Sequence, residues 1–203
     1  MSRIPAVTKD WNDVCVTGDE KVGKTAMIHL FNRGHYNVTT KYEPTIEDSY
    51  IIHVASSLPV DKVKLKLIDT SGRYVALNSL PKCYIDLSCG FIVMYSIDNV
   101  HSFDVARRLI KRIKGVKKDK DYSLVVLGNK ADLAQQRRVT QGQLQSLCQE
   151  ENVIGEEVSI MDKNTFYRPI TKLVEDICKR TQLENDRDMT KKRGVVHKFT
   201  DLF

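Results

Sequence analysis

The chain has 203 residues, of which 41% are hydrophobic and 29% charged, with a formal net charge of +6; this suits about one globular domain with a short tail. No run approaches the ~18 consecutive apolar residues of a membrane span, and the five cysteines are scattered without CxxC spacing, which argues against a transmembrane protein, a disulfide framework and a zinc module. The basic excess gathers at residues 107–120 and at Lys191-Lys192-Arg193 without interleaved aromatics, a pattern more often of a solvated face or a weak membrane patch than of a nucleic-acid surface.

Residues 1–10 are unpatterned and read as a lead. Trp11 to Thr17 predicts a buried strand that delivers the chain into Gly18-Asp19-Glu20-Lys21-Val22-Gly23-Lys24-Thr25, a full GxxxxGKT match. Such a loop wraps backbone N–H groups around nucleotide phosphates. Gly18 and Gly23 let the backbone approach without a Cβ in the way, Lys24 supplies the phosphate lysine, and Thr25 offers a hydroxyl to Mg²⁺. The helix that continues through Ala26 to about Arg33 points its positive end at the same anion. A chance glycine loop is the alternative; the strand before it and the helix after it favour the phosphate site.

His35 to Pro44 reads as a long functional loop placed to sense a ligand. Asp48 to Val54 and Val63 to Ile68 read as strands joined through Ser56–Asp61 in a hairpin. The second leads into Asp69-Thr70-Ser71-Gly72, either a plain turn or, beside a phosphate loop, an aspartate holding a Mg²⁺-bound water and a glycine offering its N–H to the terminal phosphate. Residues 90–96 and 123–128 are continuous apolar runs, as expected of parallel strands covered on both faces. A basic amphipathic helix is predicted over Val100 to Lys117, and another over Thr140 to Glu151 with Gln143 completing a capping box. Val153 to Ser159 predicts a strand and Thr165 to Arg180 a helix, followed from Thr181 by a polar, flexible tail. The expected fold is α/β: a six-stranded, mostly parallel sheet with one antiparallel hairpin strand, helices on both faces, and the ligand at the carboxyl ends of the strands.

Asn129-Lys130-Ala131-Asp132 leaves the strand ending at Gly128, and NKxD there resembles the guanine-reading loop of small GTPases. Asp132 can accept two hydrogen bonds from guanine N1–H and its exocyclic amine, a donor pair that adenine lacks. Asn129 can tie this loop to the phosphate loop, and the stem of Lys130 can lie along the base. With the GxxxxGKT, a threonine loop and the DxxG in this order, residues 12–180 resemble a Ras-family small GTPase. The resemblance implies a P-loop NTPase domain over residues 11–180. It also implies GTP and GDP as ligands, Mg²⁺ as cofactor, signalling through effectors with Ras-binding-type domains, and an exchange factor.

Pro44-Thr45-Ile46-Glu47-Asp48-Ser49-Tyr50 matches the Ras and Rap effector loop. By resemblance, Thr45 binds Mg²⁺ and the γ-phosphate, Tyr42, Pro44, Ile46, Glu47, Asp48, Ser49 and Tyr50 form the effector surface, and Tyr36 contacts the guanine edge. Ser159-Ile160-Met161 stands for the last guanine loop, keeping its backbone contact but with methionine for the family's lysine. Glu20 replaces a small residue, and Arg73 replaces the glutamine that follows the DxxG glycine. Lys24, Thr45 and Arg73 are the candidate catalytic residues. Because Arg73 has donors only, it is expected to neutralise Glu20 while leaving the attacking water unplaced, so that hydrolysis is slow. The last four residues are not a CaaX box, and MSRIPAV carries neither a secretory nor a myristoylation pattern; a cytoplasmic monomer with at most weak electrostatic membrane contact is expected. A non-hydrolysing GTP-bound scaffold or decoy remains the alternative, and an ATP-using phosphotransferase is disfavoured by the NKxD.

Overall fold

In the computed structural model, helices separate the strands except between the two that form the antiparallel hairpin. Its described backbone covers residues 11–33, 47–55, 62–72, 80–118 and 122–200, with side chains described within 11–32, 47–54, 62–72, 80–118 and 122–182. In chain order the elements are β1 (Asn12–Gly18), α1 (Lys24–Arg33), β2 (Glu47–Ala55), β3 (Lys62–Thr70), α2 (Lys82–Leu87), β4 (Gly90–Ser96), α3 (Val100–Lys117), β5 (Ser123–Asn129), a 3-10 turn (Ala131–Gln136), α4 (Gln141–Glu151), β6 (Ile154–Glu157) and α5 (Asn164–Thr200). The strands form one six-stranded sheet in the order β2-β3-β1-β4-β5-β6, in which only the β2–β3 pairing is antiparallel.

Period-two alternation of the strand side chains divides the core between the two faces of the sheet. Val14, Val16, Ile92, Met94, Val125 and Leu127 point to the face covered by Met27 and Ile28 of α1 and by Phe166, Ile170, Leu173 and Ile177 of α5. Cys15, Phe91, Val93, Tyr95, Leu124 and Val126 point to the other, where Ile85 of α2, Phe103, Leu109, Ile110 and Ile113 of α3, and Leu144 and Leu147 of α4 cover them. Residues 90–96 and 123–129 are buried at every position, which explains why these segments read as unbroken apolar runs.

Several boundaries differ from the sequence expectation. β6 covers four half-buried residues rather than Val153 to Ser159, because the chain there must turn early: Ser159 leaves the ladder to bridge Asp162. The last helix continues to Thr200, past Thr181, where the flexible tail was expected to begin; residues 181–193 hold neither glycine nor proline to stop it. Helix α2 and the 3-10 turn carry too few residues for a helical period to register, and the sequence left both unassigned. The hairpin connector at 56–61 and the lead at 1–10 lie outside the described residues.

Candidate functional site

The carboxyl ends of β1, β3, β4 and β5 converge on one rim of the sheet, and the motif residues sit there. Gly18 ends β1 with φ +148, and a Cβ on it would lie 2.1 Å from the Met94 carbonyl oxygen; Gly23 has φ +101, and its Cβ would fall 2.2 Å from Asn129 Nδ2. Both positions therefore demand glycine, for conformation and for space. Lys21 also takes the left-handed conformation, with φ 59. Between the glycines the loop curls around Lys24, whose Nζ donates to the carbonyls of Gly18 at 2.9 Å and Asp19 at 2.7 Å. Burial pushes the Lys24 ammonium down to about 8, against the pull of Asp69, Asp19 and Glu20, so an anion here favours its charged form.

At the far side of the loop, Thr25 Oγ1 donates to Asp69 Oδ2 at 2.6 Å. Asp69 is fully buried; burial raises its carboxyl above the ordinary range, opposed by the Thr25 hydroxyl and the charges of Lys24 and His29. Its other oxygen, Oδ1, is buried without a hydrogen-bond partner in the described structure. Gly72, three residues on, packs directly on the phosphate loop: a Cβ there would lie 2.7 Å from the Glu20 amide nitrogen and 2.8 Å from Glu20 Cα. Glu20 is thus at the junction of the two loops.

The third loop is tied to the first. Asn129, fully buried, donates through Nδ2 to the Val22 carbonyl at 2.8 Å. Asp132 is exposed at the surface, and one of its carboxylate oxygens accepts from the hydroxyl of Ser159; Ser159 Oγ in turn accepts from the Met161 amide at 3.1 Å. The Ala131 amide donates to the Val158 carbonyl at 3.0 Å, which closes the two loops into one rim. Ile160 carries its Cδ1 to within 2.9 Å of the position a Cβ on Gly23 would take, and Met161 is exposed. Ala26 is buried in the first turn of α1.

A comparison with known families matches the Ras family over residues 13–179. The chain belongs to the Ras family. It is 36% identical over 160 residues to the NF-kappa-B inhibitor-interacting Ras-like protein 1 of Homo sapiens, covering 79% of this chain and 82% of that protein. It is 35% identical over 156 residues to the NF-kappa-B inhibitor-interacting Ras-like protein 2 of Gallus gallus, covering 77% and 81%. The Ras-like protein rasZ of Dictyostelium discoideum is 30% identical over 193 residues, covering 91% of this chain and 87% of that one. Membership of this family brings the binding of GTP and GDP.

On this Ras-like frame, the residues expected to bind effectors that fall within the described structure lie along β2. Glu47, Asp48 and Ser49 are exposed and Tyr50 half-buried. The Tyr50 hydroxyl donates to Asp48 Oδ2 at 2.7 Å and lies 3.3 Å from His29 Nε2 of α1. That hydrogen bond, first, and the Ser49 amide hold the Asp48 carboxyl below its ordinary value. The hydroxyl of Tyr84, on α2, donates to Glu47. Tyr36, Tyr42, Pro44, Thr45, Ile46 and Arg73 lie outside the described residues. Sequence reasoning missed the Gly72–Glu20 contact and the His29–Tyr50–Asp48 chain, since each brings together segments far apart in sequence.

Proposed function

We propose that this protein is a Ras-like guanine-nucleotide switch that hydrolyses GTP slowly and binds effectors through residues 42–50 in its GTP state. The observation that carries the reading is the shared rim: Asn129 bonds the phosphate loop, while Asp132 and Ser159 bond each other beside it, so a base reader and a phosphate cradle form one site. Asp132 reads the guanine donor pair, Ser159 to Met161 present backbone to its oxygen, and Lys130 covers the base. The N–H groups of residues 19–26, with Lys24, take the phosphates.

Mg²⁺ fits this donor set. A hydroxyl and a buried carboxylate with an unpartnered oxygen suit a hard cation that is held by few protein ligands and by phosphate oxygens; Thr25, Thr45 and, through water, Asp69 would hold it. Bound there, it would neutralise charge on the β- and γ-phosphates. Sensing of the third phosphate through Gly72 is supported by its close packing on Glu20 of the phosphate loop.

Glu20 favours slow turnover. A carboxylate at the junction of the phosphate loop and Gly72 repels the third phosphate by several kcal/mol, by order of magnitude at intermediate dielectric, and Arg73 lacks the acceptor needed to orient water. The same observation supports a second reading, a GTP-bound scaffold that does not cycle. Single-turnover hydrolysis by the purified protein separates the two. Arg73→Gln alone is expected not to restore hydrolysis, whereas Glu20→Gly with Arg73→Gln recovers it; additive effects of the two substitutions on GTP affinity would dismiss their pairing.

Guanine selectivity is tested first on the parent protein, whose affinity for GTP must exceed that for ATP. Replacing Asp132 by Asn is expected to cost at least ~1–3 kcal/mol in GTP binding, the penalty for unpaired buried polar groups. Two of the relatives are named for interaction with an inhibitor of NF-kappa-B; such an inhibitor is the first protein to test for binding, with the chain loaded with GTP and with GDP in parallel.

A further inference from the structure

Lys130 holds an unusual posture. It takes the left-handed conformation, φ 66 and ψ 36, which no glycine eases, and it stands between Asn129, turned inward to the phosphate loop, and Asp132, turned outward beside Ser159. Its conformation therefore sets how those two side chains are spaced.

What holds Lys130 there is Asp98, a residue outside every motif. Ser96 and Asn129 are register partners at the ends of β4 and β5, so the next residues of both strands emerge side by side. Lys130 Nζ donates to Asp98 Oδ2 at 3.2 Å and to Oδ1 at 3.4 Å. Asp98 is itself fixed, because its carboxylate accepts from the Ser96 hydroxyl, and the Ser96 amide donates to Ser102 Oγ at 3.0 Å in the first turn of α3. The neighbouring backbone is braced as well: the Ile97 amide donates to the Asn129 carbonyl at 3.0 Å, and the Ile97 carbonyl accepts from the amides of Arg138 at 2.8 Å and Val139 at 2.9 Å. Asp98 and Lys130 face a polar cleft of about 770 Å³ that also reaches Glu20 and Lys21 of the phosphate loop.

We infer that Asp98 is a positioning residue for guanine-nucleotide retention: it anchors the head of Lys130 at the end of β4, and so keeps the stem of Lys130 against the base and the Asn129–Asp132 spacing correct. The inference rests on the guanine reading proposed above. The ion pair is part-exposed, at 22% and 32% of the side-chain surfaces, so its effect is graded rather than absolute.

The test is dissociation of a fluorescent GDP analogue from the full chain in Mg²⁺, chased with unlabelled GDP. Asp98→Asn is expected to speed release about three- to tenfold, the range a part-exposed, braced ion pair can supply. Asp98→Glu should restore the parent rate to within about twofold. In a Lys130→Ala background, Asp98→Asn should have no further effect, a result that loss of general stability would not produce; melting temperatures of the nucleotide-free variants guard against misfolding. Release from Asp98→Asn at the parent rate, or effects of the two substitutions that multiply, overturns the inference while leaving the guanine reading intact. A parent chain that retains no GDP analogue overturns both.

Discussion

Gly23 and Gly115 give the same substitution opposite consequences. At Gly23 an alanine must adopt φ +101 and place its Cβ 2.2 Å from Asn129 Nδ2, so Gly23→Ala is expected to destabilise the fold by roughly 1–3 kcal/mol through strain and displacement of Asn129. Gly115 lies on the exposed side of α3 with nothing within 4 Å of its Cβ position, and Gly115→Ala should stabilise by about 0.5–1 kcal/mol. Urea midpoints of the two variants moving in opposite directions would bear this out, and a neutral Gly23→Ala would show that the loop relaxes. The cysteines make a second contrast. All five are free of disulfides; Cys15 is buried, and burial, then the charges of Asp69 and Cys83, push its thiol up to about 12, whereas Cys83 is exposed. Since the thiolate is the nucleophile, an alkylating reagent at mildly alkaline pH should label Cys83 in the native protein and Cys15 only in denaturant, as read by peptide mass spectrometry.

Among the elements, α4 shows how fully a local pattern can be realised. Thr140 Oγ1 accepts from the Gln143 amide at 3.2 Å, and Gln143 Oε1 accepts from the Thr140 amide at 2.8 Å, the reciprocal pair that TQGQ announces. Thr140→Ala should cost ~1 kcal/mol, seen as a lower urea midpoint with an unchanged slope; no loss would mean that packing of Leu144 and Leu147, not the cap, holds the helix. Helix α5 shows the converse. Among the described side chains its last buried one is Ile177, and hydrophobic periodicity marked a boundary near Arg180 although the backbone stays helical to Thr200.

For the whole molecule, the loops that follow β1, β3, β5 and β6 share one rim, and ligand binding there is linked to folding. Anything that binds the native state alone stabilises it by RT ln(1 + [L]/Kd), about 2.7 kcal/mol at a hundredfold excess over Kd. GDP with Mg²⁺ should therefore raise the melting temperature, and chelating the Mg²⁺ should lower it again; equal stabilisation by ADP would contradict the guanine reading. No described helix is long and apolar enough to cross a membrane.

The sequence by itself determined the fold class, the placing of Gly18, Gly23, Lys24 and Thr25 on a strand-loop-helix, and the position of Asp69 and Asn129 at strand ends, because each depends on local periodicity or on residue types that few other conformations tolerate. It showed Glu20 and Arg73 as departures but not that Gly72 rests on Glu20. Only the tertiary structure decided that contact, the bond from Asn129 to Val22, and the anchoring of Lys130 by Asp98. Those arise from the parallel register of β1, β4 and β5, which brings together residues dozens of positions apart, and no periodicity along a single segment records which strand end will lie beside which.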